Sequence, residues 1–595
     1  MDLDLPRPEY PRPRLRRDRW VNLNGTWWFA FDDEDTGLAQ GWHRVSAADL
    51  DSVFDRRITV PFAYQSKASG IGDRSRHDVV WYARTVDVPD LAGDERILLH
   101  VGAADYEATV WLNGTEVAHH RGGHTPFTGD LTDALAEENV LVVRVLDRTT
   151  DLTQPRGKQY WRPESESIFY TPTTGIWQTV WLEPVPARRI GTLALVPEVA
   201  IGSLHAEATP VGPVRSGDTV EVEVRLRETF VARAERAVAG ESARLTVVLA
   251  DSPSREPGGP GFELWSPERP VLYDVLVRLR DVAGTVLDEV RSYAGMRSVA
   301  WRHGRWELNG RPYVQRLVLD QGYFPDGLLT APTDADLRRD IELARELGFN
   351  GARKHQKVED PRWLYWADTL GFLVWGEMAN AYAYSADYVR RFTAEWIEVL
   401  RRDAGHPCVV AWVPMNESWG VPDLATDERQ RAHLRALYHL TRSLDPTRPV
   451  VSNDGWEHAD TDLVTVHDYR DGAAMADTYR DADTVAGTDA PAGRRILLPG
   501  HPYAGQPILV TEFGGIAYVP GAARGDKDWG YDLAEDEDAF LAAFADRVTG
   551  VLRGGLVQGF CYTQLTDVEQ EVNGLLTARR EAKADPARIR EITRR

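Results

Sequence analysis

Two apolar runs that each stop at a glutamate constrain this chain more than any other feature. In the first, Pro407 to Gly420 (PCVVAWVPMNESWG), the residues Cys408, Val409, Val410, Ala411, Trp412 and Val413 form an unbroken apolar run before Asn416, Glu417 and Ser418. That is the pattern of a strand buried on both faces. The second, Pro507 to Gly515 (PILVTEFGG), repeats it: Ile508, Leu509 and Val510 lead to Glu512, then to an aromatic and two glycines. Two buried strands that each deliver a carboxylate at the C-terminal end fit one (β/α) barrel. Taken singly, either glutamate reads as an ordinary strand-end ion pair. Taken together they read as paired carboxylates facing one pocket, the arrangement glycoside hydrolysis needs, because one must be a neutral acid while the other is an anion.

Length and composition set the bounds. At 595 residues the chain exceeds one ordinary core, so two to four domains are expected. Its 43% hydrophobic and 27% charged residues are those of a soluble globular protein, and no apolar run is long enough for a membrane span. The opening residues, MDLDLPRPEYPRPRLRRDRW, lack the apolar core of a secretory signal. The two cysteines, Cys408 and Cys561, fall in strand-like apolar runs and read as buried thiols, so the expected location is the cytoplasm, with a mature secreted form left open. A net charge of −22 argues against a nucleic-acid partner. Twenty Trp and twenty-one Tyr offer ring faces that stack on sugars, although most belong to cores.

Three blocks follow from the patterning. Residues 1–186 contain short alternating strands broken by Gly, Asn and Asp, with Asn113-Gly114 as a two-residue hairpin, and predict a β-sandwich of jelly-roll type. Residues 187–299 predict an immunoglobulin-like sandwich, with a Pro/Gly loop at Ser252 to Pro260 and Trp265 as a packing residue. Residues 300–595 alternate strands and helices. Helices are expected over Asp334 to Leu347 with Thr333 as cap, from Pro361 to Gly371, and over Ser385 to Ala404, Glu428 to Leu444 and Asp538 to Leu552. Eight strand-like runs, YVQRLVLD, GFNGARKH, FLVWGEMA, VVAWVPMNE, PVVSNDG, LVTVHDY, PILVTEF and VQGFCYTQ, predict a complete (β/α)8 TIM barrel. In that count Glu417 lies on the fourth strand and Glu512 on the seventh.

The runs HPCVVAWVPMNESWG, ILVTEFGG, GFNGAR, DPRW, VWLNG and TTGIWQTVWLE together resemble glycoside hydrolase family 2, the family of β-galactosidases, β-glucuronidases and β-mannosidases, over nearly the whole chain. The resemblance implies a sugar-binding jelly roll, an immunoglobulin-like domain and a catalytic barrel. It implies a retaining mechanism with Glu417 as general acid/base and Glu512 as nucleophile; the apolar run and Trp419 beside Glu417 suit a neutral acid. By the same resemblance Arg353 lies beneath the nucleophile, holding it by paired hydrogen bonds. Asn416 binds the sugar's 2-hydroxyl, Tyr469 donates to the nucleophile, and His355 and His467 are further substrate-binding positions. Asp105 sits where a loop of the first domain reaches into the barrel mouth. Barrel ion pairs for Arg353, core packing for His467 and Tyr469, and a turn role for Asp105 are the alternatives.

Departures from the family pattern bear on the sugar. Gln356 stands where the family carries histidine, Tyr562, Thr563 and Gln564 stand where a tryptophan platform is common, and only ARREAK lies where glucuronidases carry Asn-x-Lys. These point away from a uronic acid and toward a galactoside, pyranoside or galactofuranoside, with arabinofuranosidase, β-mannosidase and β-glucuronidase as alternatives. Exo action on an oligosaccharide or glycoside is expected by analogy, with no cofactor required; a structural Mg²⁺ or Na⁺ and a homo-oligomer are left open. Two other classes remain: a non-catalytic carbohydrate-binding homologue, and a metallohydrolase built on His355, His467 and His501, for which no HxH or HExxH spacing is present.

Overall fold

The structure, a computed structural model, describes residues 5–249, 261–487, 489–521 and 525–595. Ser252 to Pro260 therefore lies outside the described residues.

Two antiparallel sheets form the first sandwich. One runs in the order Val21–Asn22, Val180–Val185, Arg96–Val101, Phe127–Asp130; the other in the order Arg56–Val60, Gly25–Phe31, Val79–Thr85, Val140–Leu146, Glu107–Leu112, Thr115–Arg121. Alternate residues such as Trp27, Phe29, Tyr82, Val143 and Leu182 turn inward and build its core. Asn113 and Gly114 both take positive φ, 53° and 82°, the backbone that a tight hairpin turn requires.

The second sandwich packs three strands, Arg189–Glu198, Ser203–Val211 and Ala243–Val248, against four, Thr229–Ala237, Thr219–Leu226, Tyr273–Arg280 and Val286–Ala294. Its core is aliphatic, and Trp265 beside it is fully buried with its indole N–H donated to the Asp368 carbonyl of the barrel. Trp265 is thus the packing residue the sequence suggested, and it ties two blocks together.

The third block is a parallel sheet of seven strands in the spatial order Val409–Val413, Leu373–Glu377, Gly351–Lys354, Gln315–Asp320, Val557–Thr563, Ile508–Gly514, Val464–His467. The eighth expected strand, PVVSNDG, does not form a ladder. Its backbone bonds the fourth stave, with Trp412 N–H to Pro449 O, Val451 N–H to Trp412 O and Asp454 N–H to Met415 O. On its other side Gly455 donates to the Thr465 hydroxyl rather than to a strand carbonyl. Asn453 and Asp454 put their side chains into bonds near the strand ends, so the barrel closes through an irregular stave.

Helices occupy Asp334–Glu346, Pro361–Leu370, Ala386–Asp403, Glu428–Leu444 and Glu537–Leu552. Thr333 caps the first in a reciprocal capping box with Asp336. Asp360 and Pro361 open the second, and Gly371 closes it in the left-handed region. Both cysteines are buried free thiols, and no helix of the described residues is long and apolar enough to cross a membrane.

Candidate active site

The C-terminal ends of the barrel strands bring Glu417 and Glu512 to one place. Glu512 is the fifth residue of its strand, at a point where both neighbouring ladders shift register, and is almost wholly buried, whereas Glu417 lies beyond its strand with 16% of its side chain exposed. Glu417 and the following Ser418 take φ of +52° and +61°, left-handed backbone that non-glycine residues adopt only when surroundings enforce it. The irregular stave does so. Glu417 N–H donates to Asp454 O at 2.9 Å, Ser418 N–H to Asn453 Oδ1 at 2.9 Å, and Ser418 Oγ to Glu457 Oε2 at 2.5 Å. One oxygen of each glutamate and one nitrogen of His467 all lie within 4.8 Å of one another.

Arg353 is the hub beneath them. It is fully buried, and its Nε donates to Glu377 Oε2 at 2.6 Å, its Nη1 contacts Asp454 Oδ2 at 2.5 Å, and its Nη2 donates to Asn416 Oδ1 at 2.7 Å. Nη2 also stands 3.1 Å from Glu512 Oε1. That oxygen nevertheless has no hydrogen-bond partner, because the Nη2 protons are directed elsewhere. The paired bonds expected from Arg353 to Glu512 are therefore absent. The guanidinium's bonds organise Glu377, Asp454 and Asn416, and Glu512 receives its charge. Asn416 is left with Nδ2 buried and unpartnered, a donor with nothing to bond until a ligand arrives.

The Tyr469 hydroxyl donates to Glu512 Oε2 at 2.6 Å. Burial and then the Glu512 charge push its pKa well up, so the proton stays on Tyr469. Its ring stacks on Tyr531 with centroids 3.4 Å apart.

His467 is not a free hydroxyl-binding group. Its Nδ1 lies 2.7 Å from Glu417 Oε1 and its Nε2 lies 3.1 Å from Asp454 Oδ2, so both ring nitrogens are occupied. Burial alone would lower its pKa, but the Glu512, Asp454 and Glu417 carboxylates outweigh burial and push it up to about 10. It is an imidazolium bridging two acids at neutral pH. His355 behaves in the opposite way: burial, then Arg353 and Lys158, hold it well below its ordinary value, and it is neutral.

Asp105 does not reach the barrel mouth. It is buried, and its Oδ2 accepts from Gln159 Nε2 at 2.7 Å. What reaches the barrel is the loop that Gln159 belongs to. Gly157 N–H donates to Asn380 O at 3.0 Å and Tyr382 Oη donates to Gly157 O at 2.6 Å. A Cβ on Gly157 would meet Gln356 O at 2.0 Å, so only glycine permits this approach. The loop places Lys158 over Trp419, 5.2 Å from the ring centroid, and packs Trp161 tilted and Phe169 edge-on against Tyr382. Sequence reasoning missed Asp454, Glu377, Lys158, Tyr531 and Glu571. The buried polar run after PVV, which is too polar for a strand interior, is the available signal for Asp454, and the apolar run FLVW ending at Glu377 is the signal for that residue; the others carry none.

Glu417, His467 and Glu512 each bring one atom within 4.8 Å of the others, but both His467 nitrogens already bond carboxylates, Glu417 and Asp454. His501 lies elsewhere, beside Asp460, which also binds Arg435 and His439 on an outer helix. The three histidines of the metallohydrolase reading do not converge.

Two facing carboxylates at the strand ends of a barrel, under a β-sandwich that reaches into the mouth, define a carbohydrate-cleaving enzyme. The sequence matches "Glycosyl hydrolases family 2, sugar binding domain" over residues 20–163, "Glycosyl hydrolases family 2" over 203–297, and "Glycosyl hydrolases family 2, TIM barrel domain" over 331–590. The chain belongs to glycosyl hydrolases family 2 and is a glycosidase. It is 27% identical to a beta-glucuronidase from Felis catus over 77% of this chain and 73% of that protein. It is 26% identical to a beta-galactosidase from Vibrio vulnificus over 85% of this chain and 46% of that one. Its fold is shared with an uncultured Clostridium sp. beta-glucuronidase, at a TM-score of 0.77 and 20% identity over 98% of this chain and 99% of the other. It is also shared with a GH2 beta-galacturonidase from Eisenbergiella tayi, at 0.73 and 19% over 99% and 98%. The carboxylate chemistry asks for no cofactor.

Proposed function

We propose that this glycosidase is a retaining, exo-acting enzyme that releases a terminal neutral sugar of galactoside type, pyranoside or galactofuranoside. Glu512 is the nucleophile and Glu417 the general acid/base. The observation that carries this is the approach of the two carboxylates to within 4.8 Å. That closest approach of one oxygen from each group favours the separation of about 5–5.5 Å used for double displacement over the separation of about 6.5–9.5 Å across which an inverting enzyme seats its water.

The steps follow from the geometry. Tyr469 and the Arg353 charge face Glu512, whose unpartnered Oε1 attacks the anomeric carbon. His467 occupies Glu417 Oε1, leaving Oε2 to carry the proton to the departing oxygen and later to take one from water. Asn416 Nδ2 donates to a sugar hydroxyl beside the reacting carbon. The aromatic wall of Trp161, Phe169, Tyr382 and Trp419 narrows one side of the mouth, which supports exo action.

The charge balance supports a neutral sugar. Glu571 is buried within the field of Glu512, so a uronate entering this pocket meets a third carboxylate. A β-glucuronide is the second reading, favoured by the beta-glucuronidase relatives and by the Lys158 cation at the mouth. A panel of aryl β-galactosides, galactofuranosides, arabinofuranosides, mannosides and glucuronides, with NMR of the first-formed anomer, decides between them. Hydrolysis with net inversion would sink the retaining assignment, and a clear preference for the glucuronide would sink the neutral one.

A further inference from the structure

Four lysines are buried among the described residues, and three are paired. Lys354 meets Asp320 and Glu359 at 2.8 and 2.6 Å, Lys357 meets Glu359 at 2.9 Å, and Lys583 meets Asp567 at 2.6 Å. Lys158 is different. It is only 7% exposed, yet among the described residues its Nζ has neither a carboxylate within 4.0 Å nor a hydrogen-bond acceptor; only the Trp419 ring lies over it. An ammonium carries three donors; with most of the Lys158 side chain enclosed, the head group that stays open is held in one place with all three donors free for a ligand.

The placement is built rather than incidental. Gly157 and Arg156 both donate backbone N–H to Asn380 O, and Lys158 O accepts from Tyr170 N–H at 2.9 Å. The Arg156 side chain is tied off on the carbonyls of Thr149, Arg148 and Asp151. Opposite stands Glu571, 2% exposed, which accepts from the Tyr170 hydroxyl and, at 3.0 Å, from Asn573 Nδ2. Two bonds leave a carboxylate with lone pairs to spare. Burial raises the proton affinity of Glu571 and the Lys158 charge opposes it, yet the two make no ion pair within 4.0 Å.

We propose that Lys158 and Glu571 form a two-sided grip on one hydroxyl of the terminal sugar, with the ammonium donating to the hydroxyl oxygen and the hydroxyl donating to the carboxylate. A hydroxyl is the group that satisfies both partners, because it accepts and donates at once. A carboxylate would bond Lys158 and be repelled by Glu571. The pair thus selects a neutral polyol over a uronate, and this rests on the reading of the enzyme as a hydrolase of neutral glycosides. It also makes the first domain a contributor to specificity.

The test uses full-length enzyme, Lys158→Met, Glu571→Gln and the double variant, assayed on the preferred aryl glycoside and its monodeoxy analogues, with a thermal melt of each. For wild type, one deoxy position should lower kcat/KM by about 10²-fold or more, the scale of leaving a hydroxyl-binding site unpaired. Each variant should lose a similar factor on the parent sugar, show no further loss on that deoxy analogue, and melt at the same or a higher temperature. Variants that melt lower and lose the same factor on every analogue would assign Lys158 a structural role and overturn the grip. A wild type that prefers the glucuronide, with Lys158→Met losing only that preference, would overturn the grip and the neutral reading together. Wild-type substrate preference therefore tests the reading, and variant selectivity tests the grip.

Discussion

Glu417 and Glu512 end two similar apolar runs, yet the protein treats them differently. Glu512 stays within its strand, paired on both sides across a bulge, and is buried with a tyrosine hydroxyl at 2.6 Å and an arginine beneath. Glu417 is turned out of its strand by two left-handed residues, remains partly exposed, and is bonded to an imidazolium. A nucleophile needs a fixed line of attack and charge stabilisation, while an acid/base must reach both the departing group and incoming water. Rigid strand suits the first and a braced turn suits the second.

The largest expected effect separates the two roles outright. Glu512→Gln should lower kcat by about 10⁵-fold or more on every substrate, the scale of removing a nucleophile. Glu417→Ala should cost about 10²–10⁴-fold on glycosides with poor leaving groups and far less on activated aryl glycosides, because only the former need an acid. Equal losses across leaving groups would break the comparison.

Tyr469→Phe should lower kcat by about 10–100-fold, since a hydrogen bond to a charged group contributes about 1.5–3 kcal/mol. An unchanged rate would remove Tyr469 from the nucleophile's support.

His467 sharpens the Glu417 side. Its folded pKa of about 10 lies above the unfolded value of about 6.5. The stability it contributes is therefore fully present below about pH 6.5 and is lost as pH rises toward 10. Denaturant titrations should fall by up to about 1.4 kcal/mol per pH unit in that window, and His467→Asn should flatten the slope. A wild type with no loss of stability between pH 7 and 10 would contradict the imidazolium bridge.

The smallest effect tests the brace alone. Asn453 accepts from Ser418 N–H and donates to Ser418 Oγ and Trp456 O. Asn453→Ala should cost about 1–3 kcal/mol of stability through unpaired buried groups. It should slow poor leaving groups more than activated ones, as a Glu417 defect would.

The repeating apolar and polar periods made most of the fold legible. The hairpin at Asn113-Gly114, the Thr333 and Asp360 caps and the glutamate-bearing strands are local patterns, and local patterns are what a sequence displays. The fifth stave departs from its expected strand because Pro449 to Val451 looks like a strand while Asn453 and Asp454 bond the neighbouring turn at Glu417 and Ser418. His467 was expected near the sugar, but its partners Glu417 and Asp454 come from other staves, and no spacing along the chain announces them. Asp105 was placed in the barrel mouth, when its part is to hold Gln159 in the loop that does arrive there.

By itself the sequence determined the class of chemistry: two acids at the ends of buried strands, on a chain that repeats strand and helix. Period and composition suffice for that, since burial of apolar faces sets strand and helix and leaves the strand ends for polar groups. Only the tertiary structure decided which cations and donors surround those acids. Charge and hydrogen bonding act through a few ångströms of space, and residues such as Gly157, Lys158, Asp454 and Glu571 become neighbours of the site only when separate parts of the chain are packed together.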